Sequence, residues 1–162
     1  MSRTDAASRV IRASAQKIYT AHLDPQAVAK WRPPQGMRAE IYNFDAREGG
    51  GYRMAFVYED ASVPGKTSAH ADVFGGRFVE LVPGERIVER VEFQSDDPAF
   101  AGAMTITTAL VAVKDGTEVG IVCENVPEGI SAADHQVGMA STLANLAAFV
   151  VSFSTRRQAR GA

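Results

Sequence analysis

Over residues 37–126 apolar side chains return at every second position, in runs separated by short turns rich in glycine and proline. A period of two sends alternate side chains to opposite faces, which is the geometry of half-buried strands. The pattern predicts strands over residues 37–46, 52–59, 67–82, 85–94, 104–113 and 117–126. Gly49-Gly50-Gly51, Pro64-Gly65, Pro83-Gly84 and Lys114-Asp115-Gly116 supply turns, and connections this short join antiparallel neighbours. In the second run Tyr52, Met54, Phe56 and Tyr58 share one face, and in the fourth Ile87, Val91 and Phe93 do. Gly75-Gly76, inside the long third run, predicts a bulge or a sharp bend.

Other signals bracket this block. Residues 8–13 read as an opening strand. Ser14 is an N-cap for a brief helix over residues 15–23, and Asp24-Pro25 restarts a second one to about Trp31, which must stop before Pro33-Pro34. After the strands, Ser131 is the N-cap of a long helix, with Asp134 placed to favour its dipole. Met139, Leu143, Leu146, Ala147, Val150 and Phe153 recur at helical spacing, and Arg156, Arg157 and Arg160 stand where positive charge suits the helix end. One antiparallel sheet with segregated helices is an α+β layout.

The chain has 162 residues, which predicts one domain over residues 1–162 with an ordered core at about 8–155. Lys and Arg total 17 against 19 Asp and Glu, a net charge of −2, so the basic footprint of a nucleic-acid binder is absent. Residues 1–9 hold no apolar stretch of the signal-peptide kind. Residues 139–153 are the most apolar segment, but they are short for a membrane span and broken by Ser, Thr and Asn. A single cysteine, Cys123, excludes an internal disulfide and fits a reducing cytoplasm.

A strongly bent sheet of about six to seven strands cannot close on itself, and only the final helix is long and apolar enough to cover its concave face. Two interiors are open to such a chain. Side chains fill it, or sheet and helix curve apart around a cavity, a common kind of ligand site.

The order of elements, with Trp31-Arg32-Pro33 followed by residues 45–53 (DAREGGGYR), resembles the START-like or SRPBCC superfamily. Residues 76–88 (GRFVELVPGERIV) resemble the strand-turn-strand signature of the group related to the C-terminal domain of the activator of the heat-shock-protein-90 ATPase. Gly116-Thr117-Glu118-Val119 is similar to that group's last hairpin, and residues 135–139 with Leu143 and Leu146 to its closing helix. The resemblance implies a helix-grip fold: a bent antiparallel sheet wrapped around a long C-terminal helix, with two short helices after strand one. Two departures stand out. Met139 occupies a place where the family commonly has tryptophan, and a flexible thioether there should enlarge or soften a pocket. Glu89 stands where many relatives carry an uncharged residue.

Glu89 shares strand parity with Ile87, Val91 and Phe93, so it faces inward if they do. A buried carboxylate raises its pKa or finds a partner, and could orient a ligand or move a proton. A wet rim is the plainer alternative. His70 and Asp72 project to one face of their strand, short of a usual metal site and expected as a solvent-facing pair. His135, four before Met139, is either a polar contact at a cavity mouth or a surface histidine, and His22 carries no signal. Cys123 shares parity with Val119 and Ile121 and reads as a buried, inert thiol. No nucleophile elbow occurs, so no catalytic residue is assigned.

Tyr52, Met54, Phe56, Phe93, Met104 and Ile106 are candidates for the sheet side of a cavity, Met139 and Leu143 for the helix side, and Trp31 for one end. Plain core is the alternative for each. The expected function is binding of a small hydrophobic or aromatic molecule, without cofactor, metal, nucleic acid or membrane. The resemblance leaves two alternatives, a cyclase- or aromatase-like enzyme and a chaperone-interacting protein. Homodimerisation stays open.

Overall fold

Two side chains decide where the first helices begin. In a computed structural model of the protein, which describes residues 3–59 and 71–160 and side chains through residue 151, Ser14 Oγ accepts from the Lys17 backbone N–H at 3.1 Å. The Asp24 carboxylate does the same for Gln26 at 3.0 Å. These bonds satisfy donors that a helix start leaves open. Helix α1 (Ala15–Leu23) and helix α2 (Pro25–Trp31) result, with Pro25 in the first turn, where no backbone donor is needed.

Seven strands follow the chain among the described residues: β1 (Arg3–Ile11), β2 (Met37–Phe44), β3 (Gly51–Tyr58), β4 (Ala71–Val82), β5 (Arg86–Phe93), β6 (Met104–Val113) and β7 (Gly116–Val126). They form one antiparallel sheet in the order β1-β7-β6-β5-β4-β3-β2. β1 begins five residues earlier than the apolar pattern predicts, at Arg3 instead of Ser8, because the ladder to β7 holds Arg3 opposite Val126. Polar and small side chains at this edge show no alternation, so the pairing decides and the pattern does not. The expected start of the β4 run at residues 67–70, with the Pro64-Gly65 turn and His70, lies outside the described residues.

The glycine pair has a different purpose from the one predicted. Pairing runs without a slip through Gly75 and Gly76, and the irregularity falls at Val79, between Phe78 and Glu80. That extra residue lets both Phe78 and Leu81 pack into the core, on either side of an exposed Val79. Gly76 lies directly opposite Tyr52, and a methyl group built on it would overlap the Tyr52 ring. In the last hairpin Asp115, and not Gly116, takes the left-handed conformation, with φ 70°.

Helix α3 (Ala132–Arg160) begins where Ser131 Oγ accepts from Asp134 N at 3.1 Å. Met139, Leu143, Leu146 and Val150 form its buried stripe; the side chains of Phe153, Arg156, Arg157 and Arg160 lie outside the described residues. Polar residues of α3 also fasten the proline corner. Thr142 Oγ1 donates to the Arg32 carbonyl at 3.2 Å, Asn145 Nδ2 to the Pro33 carbonyl at 2.9 Å, and Gln35 N donates to Ser141 Oγ at 2.9 Å. The end of α2 thus finds its backbone partners on another helix. The whole is an α+β helix-grip fold, a bent antiparallel sheet wrapped around a long C-terminal helix. No helix among the described residues is long and apolar enough to cross a membrane.

Gly76→Ala is expected to destabilise the protein by about 1–3 kcal/mol through overpacking against Tyr52. Gly75→Ala meets nothing tighter than the Tyr52 carbonyl at 3.7 Å and should cost less. Urea denaturation of the two variants compares them; equal losses would contradict the close-approach account.

Candidate functional site

Strand parity sends Phe56, Phe93, Ile106 and Ile121 toward the interior, yet each keeps accessible surface. They face a gap. A cavity of about 430 Å³ lies between the sheet and α3. Phe56, Phe74, Val91, Phe93, Met104, Ile106, Ile121 and Cys123 line its sheet side, and Met139, Leu143 and Leu146 line its helix side. Trp31 and the proline corner stand at one end, while the exposed Gln35, Asp134 and Val137 form a rim.

Beside Trp31 the lining becomes polar. Glu89, 2% exposed, accepts two hydrogen bonds on Oε1, from Arg32 Nη1 at 2.8 Å and from the Tyr52 hydroxyl at 2.6 Å. Arg32 Nη2 donates to the Tyr52 hydroxyl oxygen at 3.1 Å, which closes a three-membered network, and the guanidinium sits 5.2 Å from the Tyr52 ring centre. Burial would raise the Glu89 pKa, but the Arg32 charge and the two donors outweigh it and hold the carboxyl below its usual range. Burial pushes the Tyr52 hydroxyl well above its ordinary value, so it stays a neutral donor.

His22 joins the same end. Its Nδ1 lies 2.8 Å from the Ile18 carbonyl, and its ring packs edge-on against Trp31 with centres 4.6 Å apart. Burial lowers its pKa to about 4, against a weaker opposing effect of the carbonyl bond and the Glu89 charge. Trp31 Nε1 donates to the Ala21 carbonyl at 2.9 Å, so this corner is locked by its own hydrogen bonds.

A second polar group stands toward the rim. Asp5 Oδ2 accepts from Arg3 Nε at 3.2 Å and lies 2.7 Å from His135 Nδ1, tying β1 to the first turns of α3. Cys123, opposite Asp5 on β7, is buried, and that burial raises its thiol to about 12. It is an inert lining group.

The structure sorts the sequence candidates. Trp31, Phe56, Glu89, Phe93, Met104, Ile106, Met139, Leu143 and His135 border the cavity. Tyr52 and Met54 do not: both point inward but are packed into the filled half of the core, among Phe44, Phe74 and Phe78 for Tyr52. Asp72 is not solvent-facing. It is 3% exposed and borders the cavity, because the even parity of β4 turns it inward with Phe74. His70 is outside the described residues. Sequence reasoning missed His22 and Arg32. For His22 a signal exists, since it lies four residues after the buried Ile18 on one helix face. For Arg32 the only hint is that an inward carboxylate at position 89 requires a cation.

A bent sheet gripping a terminal helix across a partly polar cavity defines the START-like class. Within it, the chain belongs to the family described as Activator of Hsp90 ATPase homolog 1-like protein, whose model matches residues 12–150. Protein CV1439 from Chromobacterium violaceum is 38% identical, with a TM-score of 0.81 over 91% of this chain and 96% of that one. Protein Mll3558 from Rhizobium loti is 27% identical, with a TM-score of 0.69 over 92% and 97%. A Rhodobacter sphaeroides protein, 17% identical at a TM-score of 0.74 over 92% and 93%, shares the fold. No curated protein matches the sequence.

Arg32→Met leaves the Glu89 carboxylate buried without its cation and should cost about 3–5 kcal/mol in urea denaturation. Replacing both, as Arg32→Met with Glu89→Met, should cost clearly less; additive losses would show the two are uncoupled. A separate check is the pH profile. His22 is neutral in the fold, with a pKa of about 4, and titrates near 6.5 once unfolded. The unfolded chain takes up this proton first, so stability is full above pH 6.5 and falls toward pH 4 by roughly 3 kcal/mol. The lowered Glu89 carboxyl adds its loss only below its ordinary 4.5. Urea midpoints between pH 7.5 and 4 measure this, and His22→Phe should flatten the upper part of the curve.

Proposed function

We propose that the protein binds a small hydrophobic molecule in the cavity between the sheet and α3. The observation that carries this reading is the gap itself. Its volume of about 430 Å³ falls in the range of small-molecule sites, and its lining is mainly aromatic and aliphatic with a few convergent polar groups. Met104 and Met139 face each other's side of the gap, and flexible thioethers adapt to ligand shape. Arg32, Glu89 and His22 gather buried polar groups at the Trp31 end, and Asp72, opposite Phe56, and His135, toward the rim, add polar groups elsewhere on the lining. An occupant with a polar head finds hydrogen-bonding partners at the Trp31 end.

Binding accounts for this interior better than proton-transfer catalysis does. A general acid or base works best with a pKa near the operating pH. Glu89 is held low by Arg32 and Tyr52, and His22 is held low by burial. The family description concerns a chaperone activator; this chain's own cavity favours a small-molecule occupant.

A thermal-shift screen of hydrophobic and aromatic compounds tests the reading. A ligand at 100 times its Kd stabilises the fold by about 2.7 kcal/mol, which is several degrees for a domain of this size. Met139→Trp, which places an indole in the gap, should remove the response to any hit while keeping the fold. A screen with no response in any chemical class, or a response untouched by Met139→Trp, would refute a ligand seated here.

A further inference from the structure

We infer that the molecule held in the cavity carries a hydroxyl group on its apolar body, read at the Trp31 end by two hydrogen-bond acceptors, His22 Nε2 and Glu89 Oε2. This rests on the binding reading above and adds the chemistry of the ligand's polar head.

The argument for His22 begins with a carbonyl. The Ile18 oxygen can only accept, so Nδ1, 2.8 Å away, carries the ring hydrogen. The ring is neutral, since burial lowers its pKa to about 4, and Nε2 therefore bears a lone pair. Among the described residues Nε2 has no hydrogen-bond partner, yet no fully buried side-chain nitrogen or oxygen lacks one. Nε2 accordingly keeps accessible surface, and the ring borders the cavity. The edge-on contact with Trp31 and the bond to Ile18 fix its direction.

Glu89 is in the same condition. Its Oε1 takes both donors, from Arg32 and from Tyr52, and Oε2 takes none. The same reasoning gives Oε2 accessible surface on a side chain that borders the cavity. The cavity end therefore offers uncommitted acceptors, and a bound molecule that covers them without supplying a donor forfeits their hydrogen bonds to water, which is costly.

The head group follows by elimination. A carboxylate would meet two acceptors, and the one cation near them is already neutralised by Glu89 at 2.8 Å. An ether or ketone supplies no donor. A protonated amine donates, but it would add a second cation beside Arg32 in a site with one carboxylate at this end. A hydroxyl brings no charge, donates to His22 or Glu89, and can accept from Arg32, whose guanidinium has N–H groups beyond the two used.

Calorimetric titration with four probes of one shape tests this: 2-naphthol, 2-methoxynaphthalene, 2-naphthoate and 2-naphthylmethylamine. 2-Naphthol should bind about tenfold or more tighter than each of the others, the loss expected for a buried hydrogen bond. His22→Phe should reduce its advantage over 2-methoxynaphthalene to about threefold or less, with 2-methoxynaphthalene itself little changed. Should that variant not fold, imidazole 15N spectra of the wild type serve instead: the His22 Nε2 resonance should move with 2-naphthol and stay with 2-methoxynaphthalene. Equal affinities for those two, a preference for the acid or the amine, or an undiminished preference in His22→Phe would overturn the inference while leaving binding intact. Failure of all four probes to bind would overturn the inference, whereas the binding reading falls only if the wider thermal-shift screen is also silent.

Discussion

The Glu89 carboxylate sits in the middle of the sheet's inner face, where an uncompensated charge costs several kcal/mol. The nearest solution in chain terms is not local, because the cation comes from Arg32, just after α2. To deliver it, α2 must end at the proline corner over β5, and the corner must be held there. Thr142, Asn145 and Ser141 do that from α3, bonding to the Arg32 and Pro33 carbonyls and the Gln35 amide. One buried charge thus links sheet, proline corner and terminal helix. Each partner is also satisfied only in this arrangement, which is how a polar group in a core disfavours alternative packings.

The same network marks the border between two kinds of interior. On one side Phe44, Tyr52 and Phe78 pack ring against ring, and Ile87 and Val119 are fully enclosed. On the other, inward-facing Phe56, Phe93, Ile106 and Ile121 keep surface because α3 does not reach them. Tyr52 belongs to both halves: its ring fills the packed side, seated over Gly76, while its hydroxyl holds Glu89 at the border. Buried this tightly, Tyr52 and Met54 take no part in the cavity wall, although their strand parity is that of Phe56.

Much of the architecture was legible in the sequence because it rests on local rules. Ser14, Asp24 and Ser131 cap helices by side-chain bonds within three residues, and the strand limits of β5 and β6 follow from alternation and turns. Parity also placed Glu89 inward. What parity cannot supply is depth. It put Met54 and Phe56 on the same face without showing that one meets Phe74 and Ile41 across the sheet while the other borders a void. Nor does it show pairing at a distance. The Arg32–Glu89 bond spans 57 positions, and the bonds that seat the proline corner on α3 span more than 100. The glycine pair misled for a related reason: its role is set by a tyrosine on the neighbouring strand, not by the strand it interrupts.

Stability alone gives little reason for an ion pair at this border, since well-packed apolar side chains in such places are often as stable. Its physical consequence is directional. Arg32 and the Tyr52 hydroxyl both converge on Oε1, so the carboxylate is neutralised through one oxygen and keeps its second uncommitted. The His22 ring is treated in the same way, anchored through Nδ1 by its own helix and left with one uncommitted nitrogen. Two groups that burial would ordinarily silence are each half satisfied by protein. Both side chains border the apolar gap, where a bound molecule can reach them. A leucine at position 89 would leave the Arg32 guanidinium without its carboxylate and remove one of the two acceptors at the Trp31 end of the cavity.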